Sequence, residues 1–254
     1  MSNTQDLKER KIQGDNKTLV IIPVYNEYDN IQKVIDEISQ ELPDVDILII
    51  DDGSIDNSQY LLRNLDNVIS LVHPFNIGYA LALKTGFKYA IDHGYQYIIQ
   101  FDGDGQHIAS EAHKLLNTIH ELQSDIVIGS RFMEESGYRH SFLRRIGTRI
   151  FRSLIRSTCD KDIYDPTSGF QVLNRSVFSH YARMPYFPQF PDANLIVEMI
   201  LSGFVVHEVP VKMRKRFTGA GMHDGLFSSV NYMVLIIYNI IIILTKHQFK
   251  RSGY

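Results

Sequence analysis

Tyr97-Ile98-Ile99-Gln100-Phe101-Asp102-Gly103-Asp104-Gly105-Gln106-His107 is an apolar run that ends abruptly in two carboxylates, two glycines and an amide. The first five residues have the composition of a buried strand, and the next six read as a tight turn at its carboxyl end. Such a turn offers oxygen donors at short range. That suits a hard divalent cation, Mg²⁺ or Mn²⁺, whose remaining coordination comes from water and the phosphates of a substrate. Asp and Gly are also ordinary turn formers, so the hexapeptide by itself fits a plain turn equally well.

The flanking sequence alternates between two periods. Thr18 to Val24 reads as a strand, and Tyr28 to Glu41 carries Ile31, Val34, Ile35 and Ile38 at helical spacing. Strand-like segments at 45–50, 68–72, 95–101 and 125–128 then alternate with helical segments at 57–65, 79–91 and 109–122. This order predicts an α/β fold: a mostly parallel, Rossmann-like sheet flanked by helices, with its binding crevice at the carboxyl ends of the strands. Three polar clusters fall at those ends, Pro23 to Glu27, Asp51 to Asp56 and Asp102 to His107. Asn26, Asp29, Ser54 or Asp56 could each be a helix cap, but three clusters at one edge favour a shared site. Asp51 and Asp52 would repel each other in a low-dielectric crevice unless hydrogen-bonded or near a cation, and a ribose or base edge could supply the bond.

With 254 residues and a formal charge of −3, the chain has the size of one domain and no bias toward nucleic acid. Cys159 is its single cysteine, which excludes an internal disulfide and suits a reducing compartment. Residues 1–17 are polar and mixed in charge, unlike a secretory signal, and are expected to form a flexible tail. The working part is therefore expected to face the cytoplasm.

From Thr18 to about Phe217 the chain resembles the family 2 glycosyltransferases of GT-A fold. The resemblance rests on Ile22 to Glu27, Asp51 to Asp56, Asn76-Ile77-Gly78 with Ala80 and Gly86, Asp102 to His107, and Gly129-Ser130-Arg131. Asp165-Pro166-Thr167-Ser168-Gly169-Phe170 and Glu208-Val209-Pro210-Val211 narrow it to the dolichyl- or polyprenyl-phosphate sugar synthases. What the resemblance implies is inverting transfer of a sugar from a UDP- or GDP-linked donor to a polyprenyl phosphate, undecaprenyl or dolichyl. This would happen at the cytoplasmic membrane face, in cell-surface glycan assembly.

The resemblance also assigns roles. Asp102, Asp104 and Gln106 would hold the Mg²⁺ or Mn²⁺, with Asp104 and Arg131 catalytic. Pro23, Tyr25, Glu27, Ile50, Asp52, Asp102 and Arg216 would bind the nucleotide sugar. Arg144, Arg145 and Thr148 would meet the acceptor phosphate. Two positions depart from the family pattern: Gln171 stands where arginine is common, and Met222 where a lysine would touch the donor phosphates, with His223 as a weak substitute. The implied division is a tail at 1–17, a catalytic domain at 18–222 with a nucleotide-sugar half (18–130) and an acceptor half (131–222), and a membrane-associating helix at 223–254.

The acceptor sets the chemistry. A phosphate monoester attacks as an anion and needs no base, whereas a sugar hydroxyl needs a positioned carboxylate, for which Asp165 and Asp192 are the candidates. The basic run Arg139, Arg144, Arg145, Arg149, Arg152 and Arg156 favours the anion, although a solvated helix face would look the same. The alternatives are transfer to a saccharide hydroxyl and a noncatalytic sugar-nucleotide-binding subunit. Val230 to Leu244 is apolar but shorter than the about 20 residues of a comfortable span. It is expected to lie at the bilayer surface, its basic end (Lys246, His247, Lys250, Arg251) toward anionic headgroups, or to pair with a small membrane-spanning partner. A homo-oligomer is a further possibility. Residues 181–190, rich in Tyr, Phe and Pro, are expected to form a mobile acceptor-side loop.

Overall fold

A computed structural model describes residues 17–133, 142–217 and 226–251, without the side chains of 142–145, 226–229 and 250–251. The chain begins β1 (Thr18–Val24), α1 (Tyr28–Glu41), β2 (Asp46–Asp51), α2 (Ser58–Arg63), β3 (Ile69–Val72), α3 (Tyr79–Asp92) and β4 (Tyr97–Gln100). After a short 3₁₀ turn come α4 (Ala112–Glu121), β5 (Ile126–Ser130), α5 (Phe142–Cys159), β6 (Gln171–Asn174) and α6 (Arg175–Arg183). It ends α7 (Ala193–Leu201), β7 (Val206–Pro210) and α8 (Leu226–Arg251).

The strands form one sheet in the order β3-β2-β1-β4-β6-β5-β7. All neighbours are parallel except β6, which runs antiparallel to both β4 and β5. β5 therefore meets the first four strands only through β6. Alternate residues of β1 explain why both faces read as apolar. Leu19 and Ile21 pack with Leu83 and Phe87 of α3, while Val20, Ile22 and Val24 pack with Ile31, Val34 and Ile35 of α1. Burial on both faces removes the polar alternation of a half-exposed strand.

Two expectations change here. Residues 181–190 are not one mobile loop, because Tyr181 lies in α6 and, with Phe187, is buried. The Phe187 ring sits 5.9 Å from that of Tyr181 and 6.0 Å from that of Phe87, so the prolines bend a segment that the core holds. The C-terminal helix is also longer than its apolar stretch, at 26 residues. Within it Val230–Phe249, with a mean hydropathy of 1.5, is long and apolar enough to cross a membrane by length and composition. One face of α8 packs on α7 through Ile236 and Ile240, and Glu198 of α7, 4% exposed, takes Lys246 Nζ and His247 Nε2 at 3.2 Å each. The opposite face exposes Val230, Val234, Tyr238, Ile241 and Phe249, a stripe at helical spacing.

Candidate active site

The ends of β1, β2 and β4 carry the three polar loops, and hydrogen bonds tie these together. Asn26 adopts the left-handed conformation (φ 57°), donates its N–H to Ser54 Oγ (2.9 Å) and accepts the Ile55 N–H on Oδ1 (2.9 Å). Tyr28 N–H donates to Asp56 Oδ2 at 3.2 Å. The polar side chains of these loops thus stitch the first two together; neither Glu27 nor Asn57, the residues before α1 and α2, makes a side-chain cap bond.

Asp51 and Asp52 have separate environments. Asp52 accepts from the N–H groups of Ile77 (3.0 Å) and Gly78 (2.7 Å) and pairs with His73 Nδ1 (2.8 Å), so it holds the 73–78 loop. Gly53 (φ +71°) makes room for that loop, since a Cβ there would lie 2.5 Å from the Phe75 carbonyl carbon. Asp51 is fully buried; its Oδ1 accepts the Ser54 N–H, while its Oδ2 has no partner among the described residues. An orphaned buried acceptor calls for a donor, so Asp51 has bonding capacity left at this edge, and Asp52 Oδ2, with one bond, keeps a second acceptor site. Ile50 is also fully buried, its Cδ1 facing α3 at Gly86, so its side chain lies away from the rim where Tyr25 is exposed. Pro23 is partly exposed.

The acidic turn is held from both sides. Asp102 N–H donates to His107 Nδ1 (3.1 Å), which leaves the ring proton on Nε2, 3.3 Å from Asp102 Oδ2. Burial pushes the His107 pKa down to about 4 and keeps the ring neutral, stacked on Phe170. The Tyr79 hydroxyl reaches Asp102 Oδ1 at 3.5 Å. Asp104 Oδ1 accepts the Gln106 N–H (2.9 Å), and burial, then the charge of Asp102, raise the Asp104 pKa. Residues 213–217 run antiparallel along the turn: Met213 pairs with His107, Arg214 N–H donates to Gln106 O, and Phe217 N–H donates to Asp104 O. Arg214 is fixed by Glu37 and by Gly105 O, and Arg216 bridges Glu27 and Asp104, the latter at 3.7 Å. The Glu27 pKa is raised by burial and held back by Asn30 and Arg216.

Arg131 is committed to a buried pair. Its Nε and Nη2 meet Asp165 at 2.6 and 2.8 Å, and Nη2 also donates to Thr167 O. Asp165, fully buried, accepts the Arg131 N–H as well. Its own N–H and that of Tyr164 donate to Glu208, whose pKa burial pushes up to about 7. Of the two carboxylates that could serve as a base, Asp165 is locked in this network. Asp192 is partly open to solvent, and burial pushes its pKa up to about 6.

The acceptor-side residues are brought together less clearly. The side chains of Arg144 and Arg145 lie outside the described residues, as do Arg139, Met222 and His223. Thr148 is buried, one residue from Gly147, where α5 passes close to Met233 of α8. Arg152 is paired bidentately with Asp162 and lies 3.6 Å over the Tyr164 ring. Gln171 is buried and donates to Ser168 O (2.8 Å), a position where a neutral amide avoids the desolvation of a guanidinium. His73, Tyr79, Arg214 and Tyr232 were not legible as site residues, because their partners are 21 to 177 residues away in sequence and reach them only through the fold.

The turn fits a divalent cation. Among the described residues no three His, Cys, Asp or Glu side chains group to hold a metal, so no cage is complete without a ligand. Asp102 and Asp104 form a close like-charged pair that a cation relieves, and one or two carboxylates plus phosphate oxygens is a usual Mg²⁺ arrangement. Gln106, beside them, has its backbone N–H on Asp104.

Comparison with known proteins gives the family and the fold. The model of the family described as glycosyl transferase family 2 matches residues 19–182. A polyprenol monophosphomannose synthase of Mycolicibacterium smegmatis is 29% identical over 84% of this chain and 83% of its own. A dolichol-phosphate mannosyltransferase of Pyrococcus furiosus is 31% identical over 82% of this chain and 60% of its own. Among solved structures, glucosyl-3-phosphoglycerate synthase from Mycobacterium tuberculosis, in complex with Mn²⁺, UDP-glucose and phosphoglyceric acid, shares the fold with a TM-score of 0.68. It is 16% identical, over 91% of this chain and 80% of that one.

Proposed function

The chain belongs to glycosyl transferase family 2, and from that premise we propose that it moves a sugar from a nucleoside diphosphate to a polyprenyl phosphate, with inversion, at the cytoplasmic membrane face. The observation that carries this reading is the convergence of Asp102, Asp104, Glu27 and Arg216 on one sheet edge, beside Asp51 and its unpaired oxygen. The names of the relatives supply the acceptor class, and the apolar outer stripe of α8 supports the location.

In this reading Asp52, with Asp51 beside it, and the rim around Pro23 and Tyr25 take the base and ribose. Asp102, Asp104 and Gln106 hold the cation, which when bound offsets the negative charge on the departing nucleoside diphosphate. Arg216 contributes positive charge at the same place, tethered by Glu27 so that it needs no reorganisation. Tyr79 and neutral His107 orient Asp102, and the 213–217 segment keeps the turn rigid. Arg131, neutralised by Asp165, acts as a fixed post for the 165–168 loop, with any phosphate contact coming from the guanidinium edge that Asp165 does not use. Arg144 and Arg145 meet the acceptor phosphate, whose ionisation removes the need for a base.

Asp104→Asn tests the assignment. It should abolish Mn²⁺-dependent transfer to polyprenyl phosphate and leave the melting temperature near that of the parent. Full transfer by the variant at saturating substrate would contradict the assignment, and product on a saccharide instead of the lipid would move the acceptor to a hydroxyl.

A further inference from the structure

Besides covering the sheet, α8 delivers one side chain to the edge of the site. The Tyr232 hydroxyl donates to Asp192 Oδ2 at 2.7 Å. Its ring packs edge-on against Phe190 (5.0 Å between centroids, 70°) and Phe151 (6.3 Å, 77°), which restrains the phenol. Asp192 lies at the start of α7, its N–H donating to Asn194 Oδ1 (3.0 Å). It is partly open to solvent, and its charge is felt by Arg131 and by Tyr79, the residue that reaches Asp102. Asp192 therefore lies within electrostatic reach of the residues around the acidic turn, beyond which the donor's sugar would project from its diphosphate.

An anionic acceptor leaves this carboxylate no proton to remove. A carboxylate is acceptor-only, with several lone-pair sites, and hydroxyl donors satisfy it well. Resting on the donor and acceptor proposed above, we infer that Tyr232 is a positioning residue for the sugar: it fixes Asp192 to accept hydrogen bonds from the hydroxyls of the donor hexose. The grip on the sugar, as distinct from the nucleotide, thus depends on α8 being docked.

The test is calorimetric binding, with Mn²⁺, of UDP, GDP and their glucose, N-acetylglucosamine and mannose conjugates to the full chain. For the conjugate that binds most tightly, Tyr232→Phe should weaken affinity about 5- to 10-fold, the net worth of one ordinary hydrogen bond. Affinity for the parent nucleoside diphosphate should stay within about 2-fold, and the KM for polyprenyl phosphate should not move. In an Asp192→Asn background the same substitution should add less than about 2-fold, because the pair acts as a unit. Equal weakening of conjugate and diphosphate, effects that multiply in the double variant, or no change at all would overturn the inference. If Tyr232→Phe fails to fold, Asp192→Asn alone must show the selective loss or the inference falls. A parent protein that binds the sugar nucleotide but gives no lipid product would refute the proposed reaction, while the binding cycle would still decide the role of Tyr232.

Discussion

Glu208 and Gly105 show how single residues hold the site. Glu208 accepts two backbone N–H groups at the start of the 165–168 loop, yet burial raises its pKa from 4.5 to about 7. A carboxyl with a raised folded pKa binds its proton more tightly in the folded chain than in the unfolded one. Its contribution to stability is whole below pH 4.5 and is lost as pH rises through 7, by at most about 3 kcal/mol. Glu208→Gln removes this titration, so the melting temperature of the variant relative to the parent should climb between pH 5 and pH 8; a constant gap would mean that the carboxyl titrates normally. Gly105 sits at φ +79° beneath the Phe217 ring, where a Cβ would come within 2.2 Å of a ring carbon. Gly105→Ala should cost about 1–3 kcal/mol and push residues 213–217 off the turn. Weaker Mn²⁺-dependent nucleotide binding should accompany the drop in melting temperature, and unchanged binding would separate Arg216 from the turn.

Among the elements, α8 departs most from what its sequence suggests. Its isoleucines cover most of the circumference, which by itself fits a bilayer span, an interfacial helix or a core helix. The structure divides them: Ile236 and Ile240 belong to the core, while Val234 and Ile241 point outward. The buried Glu198 with Lys246 and His247 fixes this orientation, because removing either partner would leave the carboxylate in the α7–α8 interface without its full complement. An outward apolar stripe flanked by basic residues suits the surface of an anionic bilayer. Changing Val234 and Ile241 together to Asp should reduce partitioning onto phosphatidylglycerol-containing vesicles by about 10-fold or more. The melting temperature in the absence of lipid should hold to within a few degrees, because both positions are exposed; undiminished partitioning would transfer the membrane contact to another element.

For the molecule as a whole, the strands and helices of the first half were legible because covered parallel strands give continuous apolar runs and their helices a clear 3.6 period. The edge bearing the site was legible for the same reason, since polar clusters follow the strands. The partners were not. Asp51 and Asp52 are adjacent in sequence, yet one ties down a loop and the other keeps an oxygen unbonded, a difference set by residues 73–78. Nothing near Arg131 in the sequence announces its partner Asp165, 34 positions away, which takes its Nε and Nη2. The short strand β6, which follows the 165–170 motif directly, gives no periodic signal over its four residues.

That reversed strand governs how the molecule can be made. As the chain leaves the ribosome, β1 to β4 can pair as they appear, but β4 then waits with one side unpaired, and β5 has no place in the sheet. Both are resolved only when residues 171–174 enter between them. A nascent chain paused before that point presents an open, sticky margin to its neighbours, so this is the interval in which a chaperone would be needed.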